Sequence, residues 1–297
     1  MHALLNEFRD ELLRQDKSLT TIKHYINDID LFGRWREESY GEAFDPCRVV
    51  QREITEYRSH LNTVQSASAA TINRRLASLN KFFSWMQASG RIKVNPVAGV
   101  KGIAVIDPGV HSIDTASLRR LLREVHVHGN KLHVCILEVL CGTAIRVGEL
   151  VALTCSDAEV SERKGTLHIR NGKGRASRQI PLNIDVRRAI AGWLEVRPVS
   201  TSNYLIIGQR GDRMTPSGVW RIVKRYAALA GIPEMTVHQL RHTAIRRLVR
   251  PDNDQGVDLA VVAKISGHRN LKTLLRYCAP TEQDVSNAVD KLALAGD

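Results

Sequence analysis

Three short stretches near the carboxyl end decide the fold and chemistry of this 297-residue chain: His238-Gln239-Leu240-Arg241-His242, Gly267-His268-Arg269, and Tyr277. A further arginine, Arg146, lies upstream and follows a strongly apolar segment. Two arginines can hold one phosphodiester through charge-assisted, bidentate hydrogen bonds, which suits a site where negative charge grows during reaction. A tyrosine hydroxyl can act as the nucleophile. The order of these residues therefore predicts a phosphate clamp beside a nucleophile.

Six residues follow one another in an order that resembles the tyrosine recombinase (integrase) family: Arg146, Lys173, His238, Arg241, His268 and Tyr277. The resemblance implies that the two arginines clamp the scissile phosphate and that the lysine protonates the departing 5′ oxygen. It also implies that the first histidine is a hydrogen-bonding or proton-accepting partner, and that the second bonds a non-bridging phosphate oxygen. The tyrosine would form a 3′-phosphotyrosine. No cofactor is implied, because the arginines supply the charge that a divalent ion provides in other nucleases.

Several neighbours are expected to support these six residues. Glu149 follows Arg146 by three positions, so on a helix its carboxylate can orient the guanidinium. Arg175 and Arg178 follow the predicted hairpin turn and are candidate phosphate contacts or substitutes for the lysine. His242 is interpreted as a packing or helix-capping neighbour.

Two positions depart from the family pattern. Ala144-Ile145 stands before the first arginine, where the family usually has Gly-Leu or Gly-Met, and Ser266 stands where the family usually has leucine. We expect the bulkier pair to change the backbone approach to Arg146.

The charge distribution favours a polyanionic partner. Lys and Arg number 43 against 31 Asp and Glu, a formal net charge of +12. Residues 1–100 carry about +2 and residues 101–297 about +10, so the positive field is concentrated in the second part. A basic soluble protein with no nucleic-acid partner is the alternative reading of charge alone.

The cysteines and the apolar runs indicate a cytoplasmic, soluble protein. The five cysteines form no Cys-x-x-Cys pair, which predicts neither a disulfide framework nor a zinc site. No run reaches the roughly 18 apolar residues of a membrane span, and residues 1–7 lack the layout of a signal peptide. His126, His128 and His133 could be read as a metal site. They have no cysteine or carboxylate partners at the spacing of metal ligands, which argues against that reading.

The first hundred residues are predicted to form a small helical bundle. Apolar residues recur at helical spacing over residues 22–35, 54–61 and 72–86, with Ser18 or Thr20 available as a cap. This segment resembles the core-binding domain of tyrosine recombinases. The resemblance implies phosphate contacts by three basic residues, which could equally form a solvated helix face: Arg74, Arg75 and Lys81.

Residues 99–112 are rich in glycine and proline and are predicted to be a linker, which gives a core-binding domain at residues 1–98 and a catalytic domain at residues 113–297. The catalytic domain is expected to contain an amphipathic helix over residues 118–125, a buried helix ended by Gly142, a β-hairpin over residues 166–182 and a helix from Thr215-Pro216 to Ala230. The predicted fold class is mainly α with a small β-hairpin or sheet, an N-terminal helical domain preceding a mixed α/β catalytic domain.

The tail after the tyrosine is expected to form a short helix. Residues 281–284 have the layout of a capping box, and an apolar stripe follows at Val285, Ala288, Val289 and Leu292. The stripe could fold back on its own domain. The family resemblance instead implies docking on a neighbouring subunit, in a homotetramer that holds two double-stranded DNA sites.

The function predicted from the resemblance is site-specific DNA recombination through a 3′-phosphotyrosine intermediate. Two alternatives stay open at this point. One is a type IB topoisomerase or a telomere resolvase-like enzyme, which relaxes or seals one duplex. The other is a catalytically inactive DNA-binding accessory protein on the same scaffold.

Overall fold

A computed structural model describes residues 2–105, 112–170, 177–250, 256–268, 270–278 and 289. The chain divides into two compact units, Met1–Asp107 and Pro108–Asp297. The first unit contains the helices α1 (His2–Arg14), α2 (Leu19–Tyr40), α3 (Gln51–Thr63) and α4 (Ala69–Ala88), with a short 3₁₀ turn at Pro46–Arg48. The helical bundle predicted for this part of the chain is confirmed.

Local sequence signals explain where these helices begin and end. The Oγ of Ser18 accepts a hydrogen bond from the Thr21 amide at 3.1 Å, which caps α2 at its first turn. Gly41, with φ of 69°, ends the same helix in the left-handed conformation. The apolar faces meet in a core whose largest fully buried side chains are aromatic and aliphatic: Phe8, Phe32, Tyr57, Phe82, Phe83, Leu12 and Ile29.

Part of the predicted linker is attached to the first unit. The side-chain amide of Asn73 donates to the Ile103 carbonyl and accepts from the Ile103 amide, both at 2.8 Å. The Arg58 guanidinium donates to the Lys101 carbonyl at 2.8 Å. The described residues up to 105 are therefore held to the helical bundle, and the domain limits 1–98 and 113–297 stay a prediction.

The second unit combines helices with a small antiparallel sheet. Its helices are α5 (Thr115–His128), α6 (Lys131–Thr143), α7 (Val147–Leu150), α8 (Ile184–Val196), α9 (Pro216–Leu229), α10 (Val237–Val249), α11 (Leu259–Ser266) and α12 (Leu271–Leu275). Its strands are β1 (Ala158–Val160), β2 (Gly165–Ile169) and β3 (Arg178–Pro181), in the order β1-β2-β3. The mainly α fold with a small sheet is confirmed.

Helix α6 forms the centre of the second unit. Every residue from Cys135 to Cys141 is buried, and α5, α8, α9 and α10 pack around it. The sequence predicts that this helix ends at Gly142, but it continues through that glycine to Thr143. A Cβ at Gly142 would lie 2.5 Å from the Cγ2 of Val186, so the glycine permits close packing of α8 rather than a helix end.

Ala144 ends α6 in a left-handed conformation with φ of 55°. This conformation costs a residue with a Cβ about 1–2 kcal/mol and is usually taken by glycine. The backbone before Arg146 therefore turns as a glycine would turn, although alanine stands there.

The strands of the predicted hairpin pair in register. Leu167 faces Ile180 and Ile169 faces Arg178 across β2 and β3, while β1 adds an edge strand that the sequence patterns do not predict. Residues 171–176, which join β2 to β3, lie outside the described residues. No helix within the described ranges combines the length and apolar character needed to cross a bilayer.

Candidate active site

Arg241 is at the centre of the candidate site. It lies on α10, which begins after Thr236, and its side chain is buried. The guanidinium donates to the Ala144 carbonyl, donates to the Ser266 carbonyl at 2.8 Å, and approaches His268 Nε2 at 3.4 Å. Burial, followed by the nearby positive charge of Arg146, lowers the pKa of Arg241 to about 10. The group therefore stays a cation at neutral pH, fixed between the end of α6 and the end of α11.

Arg146 is oriented by the carboxylate that the sequence predicts. Glu149 Oε2 accepts from the Arg146 backbone amide at 2.8 Å, and Oε1 accepts from Arg146 Nη1 at 3.2 Å. The Arg146 side chain is 34% exposed while that of Glu149 is 9% exposed. The buried glutamate thus holds the arginine by its backbone amide and its guanidinium, and part of the arginine side chain stays accessible to solvent.

Arg178 occupies the other side of the same carboxylate. Its Nη1 and Nη2 lie 3.1 and 2.9 Å from the two Glu149 oxygens, and its Nε donates to the Ile265 carbonyl at 2.8 Å. Because Arg178 pairs with the buried Ile169, both side chains project to the interior face of the hairpin. The prediction that Arg178 contacts DNA phosphates is not supported, since its guanidinium is engaged inside the protein.

The two arginines keep Glu149 ionised. Burial raises the pKa of this carboxyl, but hydrogen bonds from Arg178 and Arg146 together with their charges outweigh burial and leave the pKa lowered. Arg178 therefore links the hairpin strand β3 to the residue that orients Arg146.

His268 follows Gly267, which adopts the left-handed conformation with φ of 70° and ends α11. The Oγ of Ser266 lies 2.7 Å from His268 Nδ1, and Arg241 lies on the Nε2 side. Burial lowers the pKa of His268 to about 4, with the charges of Arg241 and Arg146 acting in the same direction. The imidazole is therefore neutral at pH 7.

Tyr277 lies two residues beyond α12 and is only 3% exposed. Its hydroxyl forms a hydrogen bond with His242 Nδ1. Burial raises the pKa of Tyr277, although the charges of Arg241, Arg276 and Arg146 lower it in part. The phenol is neutral at pH 7 and is surrounded by cations that favour its phenolate.

His238 and His242 lie one turn apart on α10. Their ring centroids are 4.2 Å apart in an edge-to-face arrangement. His238 reaches solvent, and partial burial together with the charges of Arg241 and Arg146 lowers its pKa. The sequence interpretation of His242 as a packing or capping neighbour misses its contact with Tyr277, although its spacing from His238 on the same helix face was available as a signal.

Two predicted site residues, Lys173 and Arg175, lie outside the described residues. They belong to the connection between β2 and β3, and Arg178 lies at the start of β3. The structure therefore brings together Arg146, Glu149, His238, Arg241, His268 and Tyr277, all within the second unit.

In the first unit, the candidate DNA contact Arg74 pairs with a fully buried carboxylate. Its guanidinium bonds Asp28, whose Oδ2 also accepts from Ser78 Oγ at 2.7 Å. Removing a partner from a buried charge is costly, so Arg74 has a structural role beside any contact with DNA. About half of its side chain stays exposed.

The other two candidates on α4 are partly buried. Arg75 Nη1 lies 3.4 Å from the Tyr57 hydroxyl and 3.3 Å from Gln65 Oε1, and Lys81 is half-buried. Their contacts with DNA stay predictions.

The histidines weighed as a metal site have other neighbours: His126 with Glu138 at 2.8 Å, His128 with Glu124 at 3.4 Å, and His133 with Tyr226 at 2.8 Å. Within the described part of the chain, no group of three or more His, Cys, Asp or Glu side chains is arranged to hold a metal ion.

A helical first unit, followed by a unit that gathers two arginines, histidines and a tyrosine, defines the class of tyrosine recombinases. Residues 112–284 match the model of the phage integrase family, and residues 4–89 match the model of its N-terminal SAM-like domain. The chain therefore belongs to the phage integrase family. The resemblance drawn from the six ordered residues is confirmed at this level.

Known proteins similar to this chain span most of its length. Tyrosine recombinase XerC from Corynebacterium glutamicum is 29% identical, covering 98% of this chain and 92% of its own. The XerH site-specific recombinase bound to its difH substrate has a TM-score of 0.71 at 20% identity, covering 96% of this chain and 83% of its own. A lambda integrase tetramer bound to a Holliday junction has a TM-score of 0.68 at 19% identity, covering 91% of this chain and 77% of its own. The two structural similarities concern the fold.

Proposed function

We propose that this protein is a site-specific DNA recombinase that cleaves, exchanges and rejoins strands through a 3′-phosphotyrosine intermediate. The observation that carries the proposal is the convergence of two cationic arginines and a tyrosine hydroxyl. Arg241 is within 3.4 Å of His268, and the charges of both Arg241 and Arg146 act on the Tyr277 phenol. Membership in the phage integrase family and similarity to a protein named XerC recombinase support the same assignment.

The arginines would act on the scissile phosphate. Arg146, partly exposed and fixed by Glu149, and Arg241, fixed by two backbone carbonyls, are preorganised cations in a partly buried site. Such donors stabilise the extra negative charge on the non-bridging oxygens as phosphorus becomes pentacoordinate. Neutral His268, whose Nε2 faces the Arg241 guanidinium at 3.4 Å, would help to hold that cation beside the same oxygens.

Cleavage would transfer the phosphate from the DNA to the protein. The Tyr277 hydroxyl gives its proton to an imidazole of α10 as its oxygen attacks phosphorus. The bond from phosphorus to the 5′ oxygen breaks, and that oxygen receives a proton from Lys173. The phosphotyrosine keeps the energy of the phosphodiester, so a 5′ hydroxyl from another strand can reverse the reaction without ATP. Tyr277 is buried, and the proposal therefore requires that DNA binding make its hydroxyl accessible.

The proposed partner is double-stranded DNA that carries a recombination site, bound by a homotetramer on two sites. The net charge of the second part of the chain, about +10, supports DNA binding. The lambda integrase similar in fold forms a tetramer on a Holliday junction, which is consistent with this assembly. The tail helix proposed to link subunits, at residues 281–292, lies outside the described residues except for residue 289.

Strand exchange between two duplexes tests the proposal. DNA that copurifies with the protein, or is covalently trapped by it, is sequenced to define the site. Two differently labelled duplexes that contain this site are then incubated with the protein. Joined products with one strand end from each duplex are expected. Relaxation or resealing of a single duplex without exchange between duplexes would contradict recombination.

A further inference from the structure

We propose that His242 is a catalytic residue that takes the phenol proton of Tyr277 as its oxygen attacks the DNA phosphorus. This inference rests on the proposed recombinase function and adds a proton acceptor to it. His242 comes directly after Arg241 on α10, and its Nδ1 is hydrogen bonded to the Tyr277 hydroxyl from 35 positions away in sequence. The two ring centroids are 5.5 Å apart.

The surroundings of Tyr277 create a need for a proton acceptor. Burial raises the pKa of the phenol, so the reactive phenolate is scarce at neutral pH despite the guanidiniums of Arg241, Arg276 and Arg146. A base that already touches the hydroxyl removes the proton as the bond to phosphorus forms.

His268, the other imidazole in ring contact with the phenol, has its two nitrogens engaged. His238, for which the family resemblance implied a proton-accepting role, packs against the His242 ring. Ser266 Oγ donates its single proton to the Val262 carbonyl at 2.6 Å, so it accepts from His268 Nδ1 at 2.7 Å. The lone pair then lies on Nε2, which faces the Arg241 guanidinium at 3.4 Å. With a pKa of about 4, this ring is a poor acceptor for the proton of a phenol.

His242 is held in position by its own helix. The His238 ring packs edge-to-face against it, one turn earlier on α10, at a centroid distance of 4.2 Å. This contact restricts rotation of the His242 ring and keeps Nδ1 directed at the hydroxyl of Tyr277. Among the described residues, the titratable and charged groups around the pair include His238, His268, Arg241, Arg146 and Arg276.

The proton transfer balances within the strand transfer. The bond between the Tyr277 oxygen and its hydrogen breaks, and the proton binds His242 Nδ1. The bond from that oxygen to phosphorus forms, the bond from phosphorus to the 5′ oxygen breaks, and the 5′ oxygen takes its proton from Lys173. In rejoining, the attacking 5′ hydroxyl gives its proton back to Lys173, and the His242 imidazolium returns its proton to the departing phenolate.

The substitution His242→Asn separates positioning from proton transfer. The asparagine oxygen lies near the position of Nδ1 and can accept the phenol hydrogen bond, but it cannot take the proton. Single-turnover formation of the covalent adduct on nicked DNA is measured from pH 6 to 9. We expect adduct formation to slow by about 100-fold or more at pH 7, and the loss to shrink as hydroxide replaces the base at higher pH. DNA affinity should be unchanged.

Rescue by a small base provides the second readout. Imidazole added to the His242→Ala variant should restore cleavage in proportion to its unprotonated fraction, which a merely structural role for His242 would not produce. The matched control is His128→Asn, an exposed histidine at the end of α5, which should cleave at the wild-type rate at every pH.

The outcomes separate this inference from the function on which it rests. Wild-type protein that forms no adduct on a cognate nicked site would contradict the recombinase proposal itself. If the wild-type protein forms an adduct at Tyr277 and the His242→Asn variant forms it at a rate within about threefold of wild type across the pH range, only the role of His242 would be overturned. If the variants fail to fold, the wild-type profile decides: a single-turnover rate that does not fall on acidification anywhere in the pH range where the protein stays folded would overturn the role, because a base must be unprotonated to act.

Discussion

Arg178→Met should destabilise the second unit by about 3 kcal/mol. The substitution removes three hydrogen bonds at once, two to Glu149 and one to the Ile265 carbonyl. Breaking one partner of a buried ion pair costs roughly 3–5 kcal/mol, and an orphaned carbonyl costs about 1 kcal/mol more. Glu149 retains its contacts with the Arg146 amide and guanidinium, which places the expected loss at the lower end of that range.

A double-mutant cycle isolates the pair. Replacing both partners removes the uncompensated charge. The double variant Arg178→Met with Glu149→Gln should therefore lose about 2 kcal/mol less free energy of unfolding than the sum of the two single variants. Equilibrium urea unfolding followed by circular dichroism gives the four values. The first unit contains neither residue, and its transition serves as an internal reference. The exposed Arg163→Met is the matched control and should change stability by less than about 0.5 kcal/mol.

The coupling should depend on pH. The folded-state pKa of Glu149 is lowered, so its ionisation stabilises the fold above the unfolded value, about 4.3, and this contribution is lost as pH falls through the folded value. The coupling is therefore expected in full at pH 7 and should shrink below about pH 4. If the losses in free energy of unfolding of the two single variants add up to that of the double variant within about 0.5 kcal/mol at pH 7, Arg178 is not the partner that holds Glu149.

Three further predictions concern the reaction. Arg146→Ala and Arg241→Ala should each cost several kcal/mol of transition-state stabilisation, measured as a lower single-turnover cleavage rate. Rates within about tenfold of wild type, which corresponds to roughly 1.4 kcal/mol, would contradict the assignment of these arginines as the phosphate clamp. Lys173→Ala should recover selectively on a 5′-phosphorothiolate substrate, whose leaving group needs no proton, whereas equal impairment on both substrates would indicate a structural role. Deleting residues 282–297 should preserve binding to one site in a gel-shift assay but impair pairing of two sites and recombination. A truncated protein that recombines like the full chain would contradict subunit linkage by the tail.

The parts of the fold that depend on local sequence could be predicted. Periodic apolar residues marked α4, Thr215-Pro216 marked the start of α9, and two short extended stretches around a glycine-rich turn marked the β2–β3 hairpin. Each signal lies within one helix or one strand pair. Strand β1 has only three residues, too few for a periodic pattern.

The missed features depend on contacts distant in sequence. Arg178 and Glu149 are 29 positions apart, and His242 and Tyr277 are 35 apart, so no helical or strand spacing relates them. The inward direction of Arg178 follows from its register opposite Ile169, which requires the sheet itself. The catalytic residues, by contrast, could be found in the sequence because they follow one another in the order of a known family pattern. That pattern relates residues that are far apart in sequence, which local spacing cannot do.

The most direct test of the central claim is to identify the residue that joins the DNA. Wild-type protein is trapped on a nicked site and digested with nuclease and trypsin, which should cleave after Arg276 and release residues 277–291 for mass spectrometry. The account predicts a nucleotide phosphate on the Tyr277 oxygen, linked through the DNA 3′ end, and no adduct in the Tyr277→Phe protein, which should still bind DNA. An adduct on another residue, or one that persists in Tyr277→Phe, would contradict the assignment of Tyr277 as the nucleophile.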